Sequence, residues 1–223
     1  LLNLRKLLNE RVLNLENSVE KASQQLQERE KETLQMMAKA AEYKNNETGY
    51  HIQRVAHYSK LLTRFCHEDE KIQDLLFYSA PLHDIGKIGV PDRILLKPGR
   101  LTPHEFELIQ THTTMGYDIL RDAKGEYLKA ASIIALTHHE KFDGSGYPNQ
   151  LQGEDIPLWG RIVAIADVFD ALTSARPYKE AWSFERAVQH VIDEKGKHFD
   201  PNLVNVFTGE VEYFYDIYKK YQD

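Results

Sequence analysis

Several features that restrict a protein's class are scarce or missing in this sequence. The 223 residues include one cysteine, Cys66, which excludes an intramolecular disulfide framework and fits a reducing compartment. No apolar run approaches the roughly 20 residues that a membrane-spanning helix needs, and charged residues interrupt the opening LLNLRKLLNERVLNL. We therefore expect a cytoplasmic segment with neither a signal peptide nor a membrane anchor.

An excess of positive charge is also missing. The formal net charge is −6, which argues against a DNA-binding surface because duplex binding depends on many Lys and Arg contacts to phosphate. A small phosphorylated ligand needs only a few local cations. Histidine is abundant instead, with ten residues, and several of them stand beside acidic residues. The chemistry of the chain is therefore expected at its histidines.

The first 41 residues contain neither proline nor glycine, and their apolar residues recur with alternating spacings of four and three. This spacing favours a parallel two-stranded coiled coil and thus a homodimer, although a helix packed on its own domain has the same pattern. Arg5, Arg29 and Thr33 interrupt the seam. We predict a helical linker over residues 1–43, a second domain over residues 44–223, and an upstream sensory or receiver domain that the linker joins to it.

Beyond residue 45 the apolar spacing stays helical, and no stretch alternates like a half-buried strand. The sequence therefore predicts an all-α helical bundle that follows a long N-terminal helix. Proline and glycine cluster at 89–103 and 143–160 and indicate two long loops. The predicted helices are 49–66, 70–87, 103–122, 125–139, 158–175, 183–195 and 201–220.

Histidines and carboxylates stand together at several places along this pattern. His83 and Asp84 are adjacent and can bind one metal ion, or form a structural pair, and Lys87 follows one turn later. Asp167 lies in RIVAIADVFDAL, a helix that is apolar nearly all round, where a carboxylate requires compensation. A single buried ion pair does not account for the further candidates, which are Glu47, His51, His112, His138 and His139.

The order of these motifs resembles the HD-GYP phosphodiesterases, a branch of the HD-domain metallohydrolases, from about residue 39 to 208. The motifs that carry the resemblance are ETGYHIQRV, HDIGKIGVPD, KPGRLT, the step from His112 to Gly116, HHEKFDGSGYP, ADVFDALTSARPYK and GKHFDP. The resemblance implies an HD-domain bundle that hydrolyses cyclic di-GMP to linear pGpG, and it leaves open whether pGpG is cut again to GMP.

The resemblance also implies a site with two or three divalent transition metals, with iron or manganese expected. Asp84 would bridge two ions, and Glu47 would allow a third, although a solvated acid at a helix start is the alternative. Asp143 and Asp170 are expected to orient loops or ligands rather than bind metal. The implied ligands are Glu47, His51, His83, Asp84, His112, His138, His139 and Asp167.

For catalysis the resemblance implies Asp84 and Lys87, and for substrate binding it implies Lys87, Tyr147, Arg176 and Lys179. Gln150 stands where the family usually has glycine. Two alternatives stay open: a cyclic di-GMP receptor with little turnover, and an HD phosphohydrolase of another cyclic dinucleotide or nucleotide. A closed structural zinc site, with its four ligands, is too small for this set.

Overall fold

The computed structural model describes residues 2–44, 50–66, 69–175 and 180–222. Across these ranges the chain forms ten α-helices and three short 3-10 helices and contains no β-strand. The pairing of Lys195 with Phe199 is an isolated bridge. The predicted all-α fold class is therefore confirmed.

The α-helices follow each other with short connections except around the two predicted loops. No described helix is both long and apolar enough to cross a membrane. The helices are α1 Leu2–Tyr43, α2 His51–Cys66, α3 Glu70–Ser79, α4 Asp92–Leu95, α5 Pro103–Leu120, α6 Glu126–Thr137, α7 Leu158–Thr173, α8 Phe184–Asp193, α9 Pro201–Gly209 and α10 Val211–Lys220.

The chain divides into two compact units, Leu1–Met36 and Met37–Asp223. The first unit is helical throughout its described residues, as expected from the lack of proline and glycine. The second contains the remaining helices and the histidine motifs. The domain division between residues 43 and 44 stays a prediction.

The core of the second unit is built around α7, which is apolar nearly all round as its sequence indicated. Phe169 of α7 is fully buried and packs edge-on against Tyr58 of α2 and Phe207 of α9. Phe214 of α10 completes this aromatic cluster. Because Asp167 lies on the same helix, the packing of Phe169 also fixes where that carboxylate points.

Two predicted helices are wrong in extent. The segment 70–87 is helical only to Ser79 and continues as 3-10 helices at Ala80–Leu82 and Ile85–Gly89. Pro81 explains the break, because proline has no N–H to continue the α-helical hydrogen bonds and its ring crowds the preceding turn. His83 and Asp84 consequently lie between two 3-10 helices. The segment 201–220 is likewise divided, because α9 ends at Gly209.

The aromatic cluster supports a first prediction. Replacing Phe207 by alanine removes a fully buried ring and should lower the free energy of unfolding by about 3–5 kcal/mol. Phe65→Ala is the matched control, because Phe65 is 39% exposed and its loss should lower that free energy by less than about 1 kcal/mol. Urea unfolding measures both values, and equal losses would contradict the assignment of the core.

Candidate functional site

Seven of the predicted metal ligands gather in two neighbouring sets. In each set, one potential ligand atom of every residue lies within 4.8 Å of those of the others. The first set is Asp84, His112, His138 and His139, and the second is His51, His83 and Asp167. They come from the starts or ends of α2 and α6, from α5 and α7, and from the turn after Pro81.

The first set surrounds the carboxylate of Asp84. Its Oδ1 atom lies 3.3 Å from His112 Nε2 and 3.8 Å from His138 Nε2. The two histidine Nε2 atoms are 3.5 Å apart. A close approach of backbone makes this possible, because a Cβ at Gly86 would overlap the carbonyl oxygen of His112. The turn that carries Asp84 can therefore lie directly against α5.

The second set surrounds the carboxylate of Asp167. Its Oδ1 atom lies 3.8 Å from His51 Nε2 and 3.7 Å from His83 Nε2. His83 also lies 3.2 Å, through Nε2, from Asp84 Oδ2. The adjacent residues His83 and Asp84 thus join the two sets.

Hydrogen bonds to the backbone fix which ring nitrogen of these histidines carries a proton. Nδ1 lies 2.8 Å from Ala80 O in His83, 2.6 Å from Ile109 O in His112 and 3.1 Å from Ile134 O in His138. A carbonyl oxygen only accepts hydrogen bonds, so each Nδ1 donates and each ring presents its Nε2 to the site, as a lone pair wherever the ring is neutral. Burial opposes protonation of His83, but the carboxylates of Asp84 and Asp167 outweigh it and raise its pKa.

These lone pairs face each other and the carboxylates. Asp84 Oδ1 is buried and has no hydrogen-bond partner among the described residues. Converging acceptors without a donor repel one another unless a cation lies between them. Imidazole and carboxylate ligands suit divalent transition metals, so the residues fit such ions.

The charge states of the residues in the first set favour the binding of a cation. Burial lowers the pKa of His138 and His139 well below the usual value, and nearby positive groups lower it further, so both rings are neutral. Burial opposes ionisation of Asp84, but Lys87 and His83 outweigh it and hold its pKa well below normal. Neutral imidazoles around an ionised carboxylate are the forms that bind metal.

Hydrogen bonds that start from His51 Nδ1 hold this candidate metal ligand in place. Its Nδ1 donates to Asp170 Oδ2 at 2.6 Å, and Asp170 Oδ1 accepts from Arg54 Nε at 2.5 Å. Arg54 also donates to Ser174 Oγ at 2.7 Å and to Tyr221 O at 2.6 Å. The orienting role expected of Asp170 agrees with these contacts. Arg54 was not anticipated, although it lies one turn after His51 on α2.

Glu42 is a second residue that sequence reasoning missed. It is buried near the end of α1, and its Oε1 atom lies 3.8 Å from His51 Nε2. An acidic residue in the largely apolar stretch MMAKAAEY was the available signal. Glu47, the predicted carboxylate for a third ion, lies outside the described residues.

The predicted substrate-binding residues are described in part. Lys87 Nζ lies 2.5 Å from Asp84 Oδ2. The ring of Tyr147 lies 4.8 Å from the ring of His139, between centroids. Arg176 and Lys179 lie outside the described residues.

The loop that carries Tyr147 is tied back to the histidines. Buried Glu140 accepts the backbone N–H groups of Asn149 at 2.7 Å and Leu151 at 3.0 Å. A Cβ at Gly146 would overlap the backbone of Glu140 and Lys141. Gln150 has a φ of 56°, a left-handed conformation that strains a residue with a Cβ. Glycine adopts this conformation more easily. The role of Glu140 was missed, and its place directly after the paired histidines was the signal.

The contacts behind His51 support a second prediction. Asp170→Asn leaves the buried charge of Arg54 uncompensated and should lower the free energy of unfolding by about 3–5 kcal/mol. The control is Asp74→Asn, which breaks a partly exposed ion pair with Lys60 and should change it by less than about 1 kcal/mol. Urea unfolding with a chelator present separates this effect from metal binding, and a similar loss in both variants would contradict the prediction.

Sequence comparison places this geometry in a family. The model of the HD domain matches residues 17–203. Over 198 residues the chain is 43% identical to the cyclic di-GMP phosphodiesterase response regulator RpfG of Xanthomonas campestris, covering 89% of this chain and 52% of that protein. It is 47% identical to the 3'3'-cGAMP-specific phosphodiesterase 2 of Vibrio cholerae, covering 81% of this chain and 35% of that protein. The chain thus spans about half the length of these relatives, or less.

Solved structures agree on the fold. A cyclic GMP-AMP-specific phosphodiesterase of Vibrio cholerae, V-cGAP3, superposes with a TM-score of 0.63 at 22% identity, over 85% of this chain and 52% of that one. An HD-GYP-type protein of Bdellovibrio bacteriovorus gives a TM-score of 0.56 at 24% identity, over 76% of this chain and 51% of that one. The family model covers most of the sequence, and the chain therefore belongs to the HD-domain family.

Proposed function

We propose that this chain is a metal-dependent phosphodiesterase that hydrolyses cyclic di-GMP to linear pGpG. The observation that carries the proposal is the pair of ligand sets joined at His83 and Asp84. Phosphodiester hydrolysis requires neutralisation of a negative phosphate and an activated water, and adjacent ions held by such sets are suited to both. Relatives that are named cyclic di-GMP phosphodiesterases support the choice of substrate.

The two sets would each hold a divalent transition metal, and iron or manganese is proposed, because mixed imidazole and carboxylate ligands suit transition metals better than Mg or Ca. When bound, these ions supply activated water and positive charge. Asp84 is the candidate bridging ligand, because its Oδ1 faces the first set and its Oδ2 faces His83. Glu47 is the candidate ligand for a third ion.

Lys87 and Tyr147 are proposed to act on the phosphate. The ion pair with Asp84 holds the Lys87 ammonium beside the ligand sets, where it neutralises developing charge and donates a proton to the leaving oxygen. Burial, with the charge of Asp84, raises the pKa of the Tyr147 phenol, so its hydroxyl stays protonated and donates to a phosphate oxygen. Arg176 and Lys179 are proposed to hold the remaining phosphate oxygens.

A second cyclic dinucleotide is also a candidate substrate. The relative that is 47% identical is named for 3'3'-cGAMP, which has the same cyclic diphosphate with one guanine replaced by adenine. The residues proposed above act on phosphate groups, which both cyclic dinucleotides contain. We therefore place discrimination between the two substrates outside the ligand sets.

The metal centre supports a third prediction. Asp84→Ala should lower the metal content per chain and reduce cyclic di-GMP turnover at least about 1000-fold, because it removes the ligand that joins the two sets. Asp118→Ala is the control, because Asp118 lies on α5 with its side chain 61% exposed. Protein purified without oxygen would be assayed by elemental analysis and by chromatography of cyclic di-GMP and 3'3'-cGAMP. Retained turnover in Asp84→Ala would overturn the proposal, and metal-replete wild-type protein without turnover would favour the receptor alternative.

We further propose that the first unit forms a parallel coiled coil with a second copy of the chain. Its exposed apolar residues fit a heptad register in which Val12 and Val19 take a positions and Leu8 and Leu15 take d positions. Valine at a with leucine at d favours two parallel strands. In that register Arg11 at g faces Glu16 at e of the other copy, an attractive pair. A linker of this kind fits a cytoplasmic protein in which an upstream sensory or receiver domain precedes the HD domain.

The coiled coil supports a fourth prediction. Leu15→Glu places a charge at a d position in both copies and should convert the dimer to monomer at micromolar concentration. Asn17→Glu adds the same charge at the outward f position and should leave the dimer intact. Sedimentation equilibrium measures both, and a monomeric wild type would contradict the proposal.

A further inference from the structure

An aromatic side chain lies at the rim of the site without a role in metal binding. Phe106 of α5 is 47% exposed, and its ring stands edge-on to Tyr147 with 6.2 Å between centroids. Tyr147 in turn lies against the metal-ligand candidate His139. The rings of His139, Tyr147 and Phe106 therefore form a row that runs from the ligand sets to solvent.

The backbone below Phe106 is held firmly. Thr102 and Glu105 form a capping box at the start of α5, in which Glu105 Oε2 accepts the Thr102 N–H at 2.8 Å. Lys97 Nζ donates to the same oxygen at 2.6 Å. The N–H of Phe106 donates to Thr102 O at 2.9 Å. A ring on a capped helix start loses little freedom when a ligand binds, which favours affinity.

We propose that Phe106 is a substrate-binding residue whose ring stacks on one purine base of the cyclic dinucleotide while a phosphate lies at the ligand sets. This inference rests on the proposed function and names the group that receives the base. Purines present a flat face to aromatic side chains, and such stacking tolerates either guanine or adenine. Phe106 thus contributes affinity for cyclic dinucleotides without choosing between cyclic di-GMP and 3'3'-cGAMP.

A purely structural role for Phe106 is separable from stacking. Leu101 and Phe106 occupy the two positions of a hydrophobic staple around the Thr102 cap. Phe106→Leu keeps an apolar side chain for such a staple but removes the ring, whereas Phe106→Tyr keeps the ring. Ile119→Ala is the control on the same helix, because Ile119 is 53% exposed and has no place in the site.

The fifth prediction concerns steady-state kinetics on cyclic di-GMP and 3'3'-cGAMP. Phe106→Leu should raise KM about tenfold for both, within the range expected for the loss of one base–aromatic stack, with kcat nearly unchanged because the stack is present before and during reaction. Phe106→Tyr and Ile119→Ala should keep the wild-type KM. All variants should keep their metal content and Tm.

Three results would overturn the inference: wild-type KM in Phe106→Leu, a matching rise in Phe106→Tyr, or a loss confined to kcat with loss of metal. The proposed function is tested separately by wild-type turnover. A wild type that binds cyclic di-GMP without cleaving it would overturn the hydrolase assignment, and the Kd ratio of wild type to Phe106→Leu would then decide the stacking role. A wild type that neither binds nor cleaves either dinucleotide would overturn both.

Discussion

The repulsion among converging lone pairs is the constraint on which the rest of the site depends. His112 and His138 each use Nδ1 to donate to a backbone carbonyl, which leaves Nε2 as an acceptor beside the buried Oδ1 atom of Asp84. The fold brings these acceptors together at a cost in free energy, because burial removes the water that would otherwise donate to them. A cation relieves this cost, so the arrangement links folding of the second unit to metal binding.

Ion pairs, hydrogen bonds and core packing hold the candidate ligands in position despite this repulsion. Asp170 neutralises Arg54 and accepts from His51, so a ligand on α2 is fixed by a carboxylate on α7. Phe169, the residue before Asp170, is locked in the aromatic core. The same helix thus anchors the core through one face and directs Asp167 and Asp170 toward the ligand sets through another. Stability of the core and geometry of the site are consequently not independent.

Much of this was predictable because helical periodicity and the spacing of motifs are local properties. The extents of α2, α5 and α7 are close to those predicted, and the seven described ligand candidates do come together, although their role as metal ligands stays a proposal. Other features depend on distant partners. Pro81 was visible in the sequence, but that the chain would continue as 3-10 helices depends on the packing of Gly86 against α5. Arg54 contacts Asp170 and Tyr221, which lie 116 and 167 residues away, and no local pattern indicates these partners. For Glu42 and Glu140 the sequence contained a signal, but their partners did not follow from it.

The candidate metal ligands and the aromatic side chains at the rim of the site would affect substrate binding in different ways. In the ligand sets, His83, His112 and His138 are buried and contact backbone carbonyls, so a substitution there would change the groups that can hold a cation. Tyr147 lies on a loop and Phe106 on a capped helix start, and the ring of Phe106 is 47% exposed. A substitution of Phe106 would therefore change affinity without disturbing the candidate metal ligands. Because stacking is indifferent to the exocyclic groups that distinguish guanine from adenine, discrimination between them requires a hydrogen-bonding group beyond these rings.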